Sequence, residues 1–421
     1  MDAATLTLVL VIVTALAFDF TNGFHDTANA MAASISTGAL KPKVAVALAA
    51  ILNLVGAFLS VEVALTVSNA VINIQDKSGA PKEEFLSDGG QGLLLVILCG
   101  LVGGIIWNLF TWLLGLPSSS SHALLGGLTG AAAAAYGLSG VKWTGDGTKL
   151  DGVVGKVLLP SFLSPVIALI VAFIGCWLVH RITNSIVHKL GEGTFRWGQI
   201  GSASLVSLAH GTNDAQKTMG VMTLALLASG HWTDTSSVPW WVKVSAALAI
   251  AAGTYLGGWR IIRTLGKGLV DITPRQGMAS DGATAATLLA ASHLGFALST
   301  THVATGSVLG GGLGRGTHVR WNTAGRMVTA WATTFPLAAL GGALTWWLGH
   351  SIGGALGSVV VFIVLCMASA YMFWRSKQDD VGAHNVNDEW DTPDDLLDKF
   401  PPAPETPEDP AGTTTHRTKS H

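Results

Sequence analysis

An all-α polytopic membrane bundle is the fold class this sequence predicts, and three observations predict it. Charged residues make up 12% of the chain and hydrophobic ones 49%, with a mean hydropathy of +0.49. Soluble domains carry about 25% charged residues, which excludes an ordinary soluble class. Runs such as LTLVLVIVTALAF (Leu6–Phe18), GLLLVILCGLVGGIIWNLFTWLLG (Gly92–Gly115) and GSVVVFIVLCMASAYMF (Gly357–Phe373) approach or exceed the roughly 20 apolar residues that span a bilayer. Polar motifs also recur inside such runs, the pattern of an inverted-repeat transporter bundle with broken or re-entrant helices.

Taken in order, apolar segments fall at about 4–40, 44–71, 92–137, 157–180, 200–229, 238–258, 281–313, 327–348 and 352–374. Those at 4–40, 92–137, 200–229 and 281–313 are interrupted by polar residues, giving roughly 10–12 membrane segments. The first run lacks a basic leading region and continues into a polar motif, so it is expected to be a membrane span and not a cleaved signal. The 51 glycines are aperiodic and suit close helix packing. Cys99, Cys176 and Cys366 lie in apolar spans and form no CxxC pair, so neither a disulfide framework nor a metal site is expected from them. The 15 tryptophans fit interface anchors and core.

Two linkers, 180–197 and 260–276, are basic, and loop 75–90 is acidic. The positive-inside bias makes the first two cytoplasmic and the third external, with Arg181, Arg260 and Arg263 as topology signals. From Arg375 onward there are 11 acidic and 5 basic residues with many prolines, a composition expected to be disordered and cytosolic. The expected domains are a first membrane repeat (1–180), a cytoplasmic linker (181–199), a second membrane repeat (200–374) and the tail (375–421).

The repeat is explicit. NGFHDTANAMA (Asn22–Ala32) and HGTNDAQKTMG (His210–Gly220) align Gly23 with Gly211, Asp26 with Asp214 and Met31 with Met219. LPSSSSHALLGGLTGA (Leu116–Ala131) and ALSTTHVATGSVLGGG (Ala297–Gly312) align His122 with His302, Ser121 with Thr301 and Gly126 with Gly306. The Asp precedes the His by 96 residues in one half and 88 in the other, so the chain is a duplication. If the first Asp segment runs toward Lys41 and Lys43 and the second leaves the cytoplasmic linker, the halves are inverted. Whether the hydroxyl segments span or re-enter changes that parity.

The first run is expected to break at DFTNG and resume as a short helix. Asp26 and Asn29 share a helix face there, a hard oxygen set for a small cation, and Asp26 could equally carry a proton. His25 is open between ligand, proton relay and packing. The second copy brings Asn213, Asp214, Gln216 and Lys217, with Lys217 where the first has Asn29. SSSSH and STTH read as half-helix starts, with free N–H groups, hydroxyl donors and a positive dipole end, the ingredients of an anion site. A tetrahedral oxyanion between two such starts, beside two carboxylates for the driving ion, gives the pattern a function.

Plainer readings stand beside these. Membrane hydroxyls commonly bond back to their own helix, and His122 and His302 fit braces better than ligands. Asp19 and Glu62 have no acidic counterpart in the other half and suit structural or peripheral roles. Asn53 and Asn108 suit interhelical hydrogen bonds, though either could line a path. No G-x-S-x-G elbow surrounds the Ser run, which weighs against an intramembrane hydrolase. No P-loop occurs, so ATP hydrolysis by this chain is not expected.

With both motif pairs in place, the chain resembles the inorganic phosphate transporter (PiT) family in its bacterial branch, over most of residues 5–350. The resemblance implies a non-enzymatic symporter in the plasma membrane. It would import inorganic phosphate with H⁺ or Na⁺, in some bacterial members as a neutral divalent-metal complex. It maps coupling-ion roles to Asp26 and Asp214, with His25, Asn29 and Asn213 beside them. Phosphate contacts map to Ser119, Ser120, Ser121, Ser299, Thr300 and Thr301, with Gln216 and Lys217 as further candidates. Asp281 and Asn53 are additional candidates. Asn53 departs from the acid of animal members, and His25 from the Asn of Na⁺-coupled animal members. With Lys217, the His25 departure leans the expectation toward H⁺, carried by a His25–Asp26 pair. Expected partners are phosphate, the coupling cation and the lipid bilayer, with no nucleic acid, no cofactor, no resident metal, and a homodimer left open. Sulfate or another tetrahedral oxyanion is the alternative cargo.

Overall fold

The computed structural model describes residues 2–61, 64, 73, 82, 88–145, 152–186, 192–293 and 298–388. Most of the acidic loop 75–90, Glu62 and the tail beyond Asp388 lie outside the described residues. The chain divides into two compact units, 1–387 and 388–421, and all that follows concerns the first.

Among the described residues the first unit has twelve α-helices: α1 (Ala3–Ser36), α2 (Pro42–Gly56), α3 (Gln91–Leu113), α4 (Ser120–Tyr136), α5 (Leu159–Ile186), α6 (Glu192–Ala228), α7 (Trp240–Leu256), α8 (Trp259–Lys267), α9 (Pro274–His293), α10 (Thr300–Arg315), α11 (Trp321–Ile352) and α12 (Gly354–Ser376). The described residues hold no strand, only an isolated bridge between Val270 and Val319. Five helices, α1, α3, α5, α11 and α12, are long and apolar enough to cross a membrane. The fold is the all-α polytopic membrane class.

α3 is apolar all round and sits at the centre, with Leu93 to Leu98 and Leu101 to Ile105 nearly all fully buried. The outward faces of α5, α11 and α12 expose Phe162, Val166, Leu344 and Met367, as lipid-facing helices do. The short helices cross between the halves: α4 packs on α3 and on α11, whereas α10 packs on α5 and α9. The segment expected as linker 181–199 is largely helical, since α5 continues to Ile186 and α6 begins at Glu192.

One expectation is corrected. The first Asp motif does not break its helix: α1 runs unbroken for 34 residues, and α6 runs for 37 through the second motif. The glycines that suggested a break serve close packing. A Cβ at Gly23 would lie 2.3 Å from the Ile250 carbonyl oxygen on α7, and one at Gly211 would lie 2.3 Å from the Asn53 carbonyl oxygen on α2. The contacts are returned by Gly253 against Phe20 and Gly56 against Leu208. Among the described residues the interruptions fall ahead of the hydroxyl clusters, at 114–119 between α3 and α4 and at 298–299 ahead of α10.

The start of the expected tail, from Ser376 to Asn387, packs on α8. Arg260 donates to the carbonyls of Leu113 at 3.1 Å, Ser376 at 2.8 Å and Asp379. Arg263 reaches the Asn385 carbonyl, Lys267 reaches that of Asn387, and Val386 is buried. The basic residues of α8 therefore hold this strap.

Candidate functional site

Each Asp lies mid-helix, and each hydroxyl pair opens a short helix aimed at it. Ser119 is the N-cap of α4 and Ser299 that of α10, each Oγ accepting from the backbone N–H of His122 (3.2 Å) and His302 (3.3 Å). This is the normal cap contact three residues on. Both were expected to touch phosphate; each accepts the cap N–H and keeps its own O–H to donate, and the next two residues in each copy face the site.

Ser120 Oγ donates to Asp26 Oδ2 at 2.6 Å. Thr300 Oγ1 lies 3.3 Å from Asp26 Oδ2 and 3.2 Å from Asp214 Oδ2, so its single proton is shared between the two repeat carboxylates. Asn29 Nδ2 donates to Thr301 Oγ1 at 3.0 Å. Asn213 Nδ2 donates to Asp214 Oδ1 at 2.9 Å and to the Leu298 carbonyl at 3.0 Å. Lys217 Nζ bonds Asp214 Oδ1 and Ser121 Oγ and lies 3.3 Å from the Leu298 carbonyl. The structure thus brings together Asp26, Asn29, Ser120, Ser121, Asn213, Asp214, Lys217, Thr300 and Thr301, all nine-tenths buried or more. Two carboxylates against one ammonium leave the centre formally negative, a costly state inside a membrane without a further cation.

His25 joins the same network. Its Nδ1–H donates to Asp26 Oδ1 at 2.8 Å, which leaves Nε2 to accept from Thr111 Oγ1 at 3.2 Å or Ser118 Oγ at 3.3 Å.

Two expected residues are placed elsewhere, and two expected braces stand as such. Gln216 bonds the Thr212 carbonyl, one turn back on its own helix, and accepts from the Ala64 N–H at 3.3 Å. Asp281 is buried on α9 and makes no contact with the site; its neighbour Ser280 packs at Gly311, eleven residues down α10 from Thr300. That is about 16 Å of helical rise. His122 and His302 are braces: His122 Nε2 meets Ser161 Oγ at 2.8 Å, and the two rings sit edge to face at 4.9 Å. His302 Nδ1 reaches the Ser161 carbonyl at 3.3 Å. Pro165, four residues on in α5, has no N–H to offer that carbonyl.

The residue missed from sequence is His210. It stands four residues before Asp214 on one helix face, and that i, i+4 spacing was the signal available. Asn53 acts through it. Thr254 Oγ1 donates to the Ile250 carbonyl at 2.8 Å and so accepts from Asn53 Nδ2 at 2.7 Å, leaving Asn53 Oδ1 to accept from His210 Nδ1–H at 3.1 Å. His210 Nε2 then faces Asp214 Oδ2 at 3.0 Å and Asp26 Oδ2 at 4.0 Å. Nε2 and Asp214 Oδ2 thus lie at ion-pair distance without hydrogen-bond alignment. Asp26, His210 and Asp214 also offer three ligand atoms within 4.8 Å of one another, a donor set the cysteine survey did not anticipate.

Fold and site together define a multi-pass membrane transporter with a buried, charge-paired centre built from two copies of one motif. The chain matches the Phosphate transporter family over residues 22–342 and belongs to that family. It is 56% identical over 386 residues to a probable low-affinity inorganic phosphate transporter of Mycobacterium bovis, covering 91% of this chain and 87% of the relative. To one of the same description from Bacillus subtilis it is 40% identical, covering 84% of this chain and all of the relative. A solved structure described as the sodium-dependent phosphate transporter shares the fold, with a TM-score of 0.68 and 21% identity over 81% of this chain and 98% of that one. The chain is accordingly a phosphate transporter of the PiT family, a multi-pass plasma-membrane protein and not an enzyme.

Proposed function

We propose that the chain is a symporter that imports inorganic phosphate with a proton, within an inverted-repeat frame, and that the proton sits between His210 and Asp214 beside the His25–Asp26 pair. The observation that carries this reading is His210 Nε2 at 3.0 Å from Asp214 Oδ2 while its Nδ1–H is committed to Asn53. A proton there converts an acceptor pair into a donor–acceptor pair and cancels one buried charge. Phosphate would arrive at the paired starts of α4 and α10, where Ser120, Ser121, Thr300, Thr301 and Lys217 supply donors and positive potential. Binding of the anion would exchange the carboxylate contacts of these hydroxyls for phosphate oxygens.

A second reading, Na⁺ coupling, is favoured by a specific observation. Asn29 Oδ1 and Asn213 Oδ1 are buried without partners among the described residues, one beside each carboxylate. Paired carboxylate and amide oxygens suit a small hard cation. The three-atom set of Asp26, His210 and Asp214 would likewise suit a divalent ion travelling as cargo with phosphate.

Labelled-phosphate uptake into proteoliposomes under an imposed inward H⁺ gradient, compared with an inward Na⁺ gradient, tests the proposal, with Asp26→Asn as control. Uptake driven by H⁺ alone supports it; uptake that needs Na⁺ replaces it with the second reading.

A further inference from the structure

A cavity of about 580 Å³ lies apart from the buried centre, between α1, α3 and α12, with the start of α8 and the strap at one end. That size is ordinary for a ligand pocket. Its walls are apolar: Phe24 of α1, Leu109 and Trp112 of α3, Leu365 and Phe373 of α12. Leu256 and Phe373 at its edge are more than half exposed, as lipid-facing side chains are, so the opening faces the bilayer. Along α12 the lining runs from Leu365 through Ser369 and Phe373 to Ser376, the last residue of that helix. That stretch rises about 16 Å, close to the roughly 15 Å of hydrocarbon in one leaflet.

The end at Ser376 is the charged one. Arg260, Lys377 and Asp380 line it, and Arg263, Arg375 and Asp379 are the other charges acting on Arg260. Four cations against two carboxylates leave that end positive. Arg260 donates to the uncharged carbonyls of Leu113, Ser376 and Asp379, contacts that orient the guanidinium without cancelling its charge. Lys377 Nζ lies 4.8 Å over the Phe373 ring and has no hydrogen-bond partner among the described residues.

Free phosphate would be desolvated against hydrocarbon in such a cleft, and an extended peptide would leave its backbone groups unmet there. An amphiphile with an apolar chain and one anionic head suits both ends. We propose that the cleft binds an anionic glycerophospholipid, its acyl chain along α12 against Phe24 and Trp112 and its phosphodiester at Arg260 and Lys377. Asp380 at the mouth opposes a second negative charge, so a singly charged lipid such as phosphatidylglycerol is the match. The floor of the cleft backs the transport centre. Phe24 and Trp112 pack edge to face at 5.3 Å, and their chain neighbours His25 and Thr111 are hydrogen-bonded at 3.2 Å within the buried network. Lipid binding here is independent of the cargo and of the coupling cation.

Native mass spectrometry of the purified full-length chain, delipidated in detergent and titrated with phosphatidylglycerol or phosphatidylcholine, tests the site. Wild type is expected to bind phosphatidylglycerol at least about fivefold more tightly, the effect of one cation near a lipid head. Lys377→Gln, at an exposed position, should fold and bring the two affinities to within about twofold of each other, the preference that one cation supplied being lost. Ser369→Phe fills the cleft and should weaken both lipids. Melting curves with each lipid should rank the same way, because a ligand of the folded state raises its midpoint. Equal affinity of wild type for the two lipids would make the cleft one filled by bulk lipid and overturn the proposal. So would a preference that survives both substitutions, which would place the head elsewhere. Should Ser369→Phe fail to assemble, Lys377→Gln decides by the affinity ratio alone.

Discussion

His210 shows how one side chain's hydrogen bonds set the chemistry of another. Asn53 fixes the ring through Nδ1 and so turns Nε2 toward the two carboxylates. Asn53→Leu should leave the fold intact but release the ring; an order-of-magnitude drop in uptake rate is expected, with phosphate KM changed less than about twofold, since orientation and not anion contact is lost. Asp214→Asn removes the negative charge and turns one acceptor oxygen into a donor, and should reduce uptake by about two orders of magnitude or more in the same assay, as loss of a buried charge partner does. Ser119→Ala and Ser299→Ala separate capping from binding. Each is expected to cost about 1 kcal/mol in thermal unfolding, with little change in phosphate KM. A KM rise above about tenfold would make these residues ligands after all.

Helix-scale behaviour follows from glycines that are alike in sequence and opposite in role. Gly23 and Gly253 lie against carbonyl oxygens of the facing helix at 2.3 and 2.0 Å from an added Cβ, whereas Gly201 in α6 has nothing within 4 Å. Gly253→Val should therefore force α1 and α7 apart, costing about 3 kcal/mol or more and depleting folded protein in the membrane. Gly201→Ala should be neutral or raise stability by up to about 1 kcal/mol through helix propensity. Thermal melts of the two variants followed by size-exclusion profile check both at once. The unbroken course of α1 has the same origin. A glycine flanked by Thr21 and Thr27, whose hydroxyls bond back to the Phe18 and Gly23 carbonyls, remains helical when a neighbouring helix covers it.

Across the whole molecule, the two halves meet at one centre: Thr300 shares its proton between an Asp from each, and Lys217 links Asp214 to Ser121 of the other half. The strap after α12 ties the end of that frame to α8 through Arg260, Arg263 and Lys267, and Asn387 Nδ2 donates to the Ile35 carbonyl at 3.2 Å. Ending the chain at Ser376 should lower the unfolding midpoint by several degrees, the loss of a few hydrogen bonds and buried Val386, while leaving phosphate KM near its wild-type value. An unchanged midpoint would show the strap to be incidental.

The duplicated motifs made the membrane class, the family and most of the centre legible without coordinates, because a charge at matching places in two apolar runs has few structural uses. Asp26, Asp214, Asn29, Asn213, Lys217, Ser120, Ser121, Thr300 and Thr301, all singled out by that pattern, lie in one hydrogen-bonded cluster. Three-dimensional packing decided the rest. Ser119 and Ser299 look like their neighbours until a helix start gives them the capping contact, and the side chain of Gln216 turns back to the Thr212 carbonyl on its own helix. His210 and Asn53 are far apart in sequence, and only the register of α2 against α6 makes them neighbours. Sequence determines which residues carry the chemistry at a helix face, since period and spacing are local. Which faces meet, and which buried atom is left needing a partner, depends on contacts between helices that no single run of sequence contains.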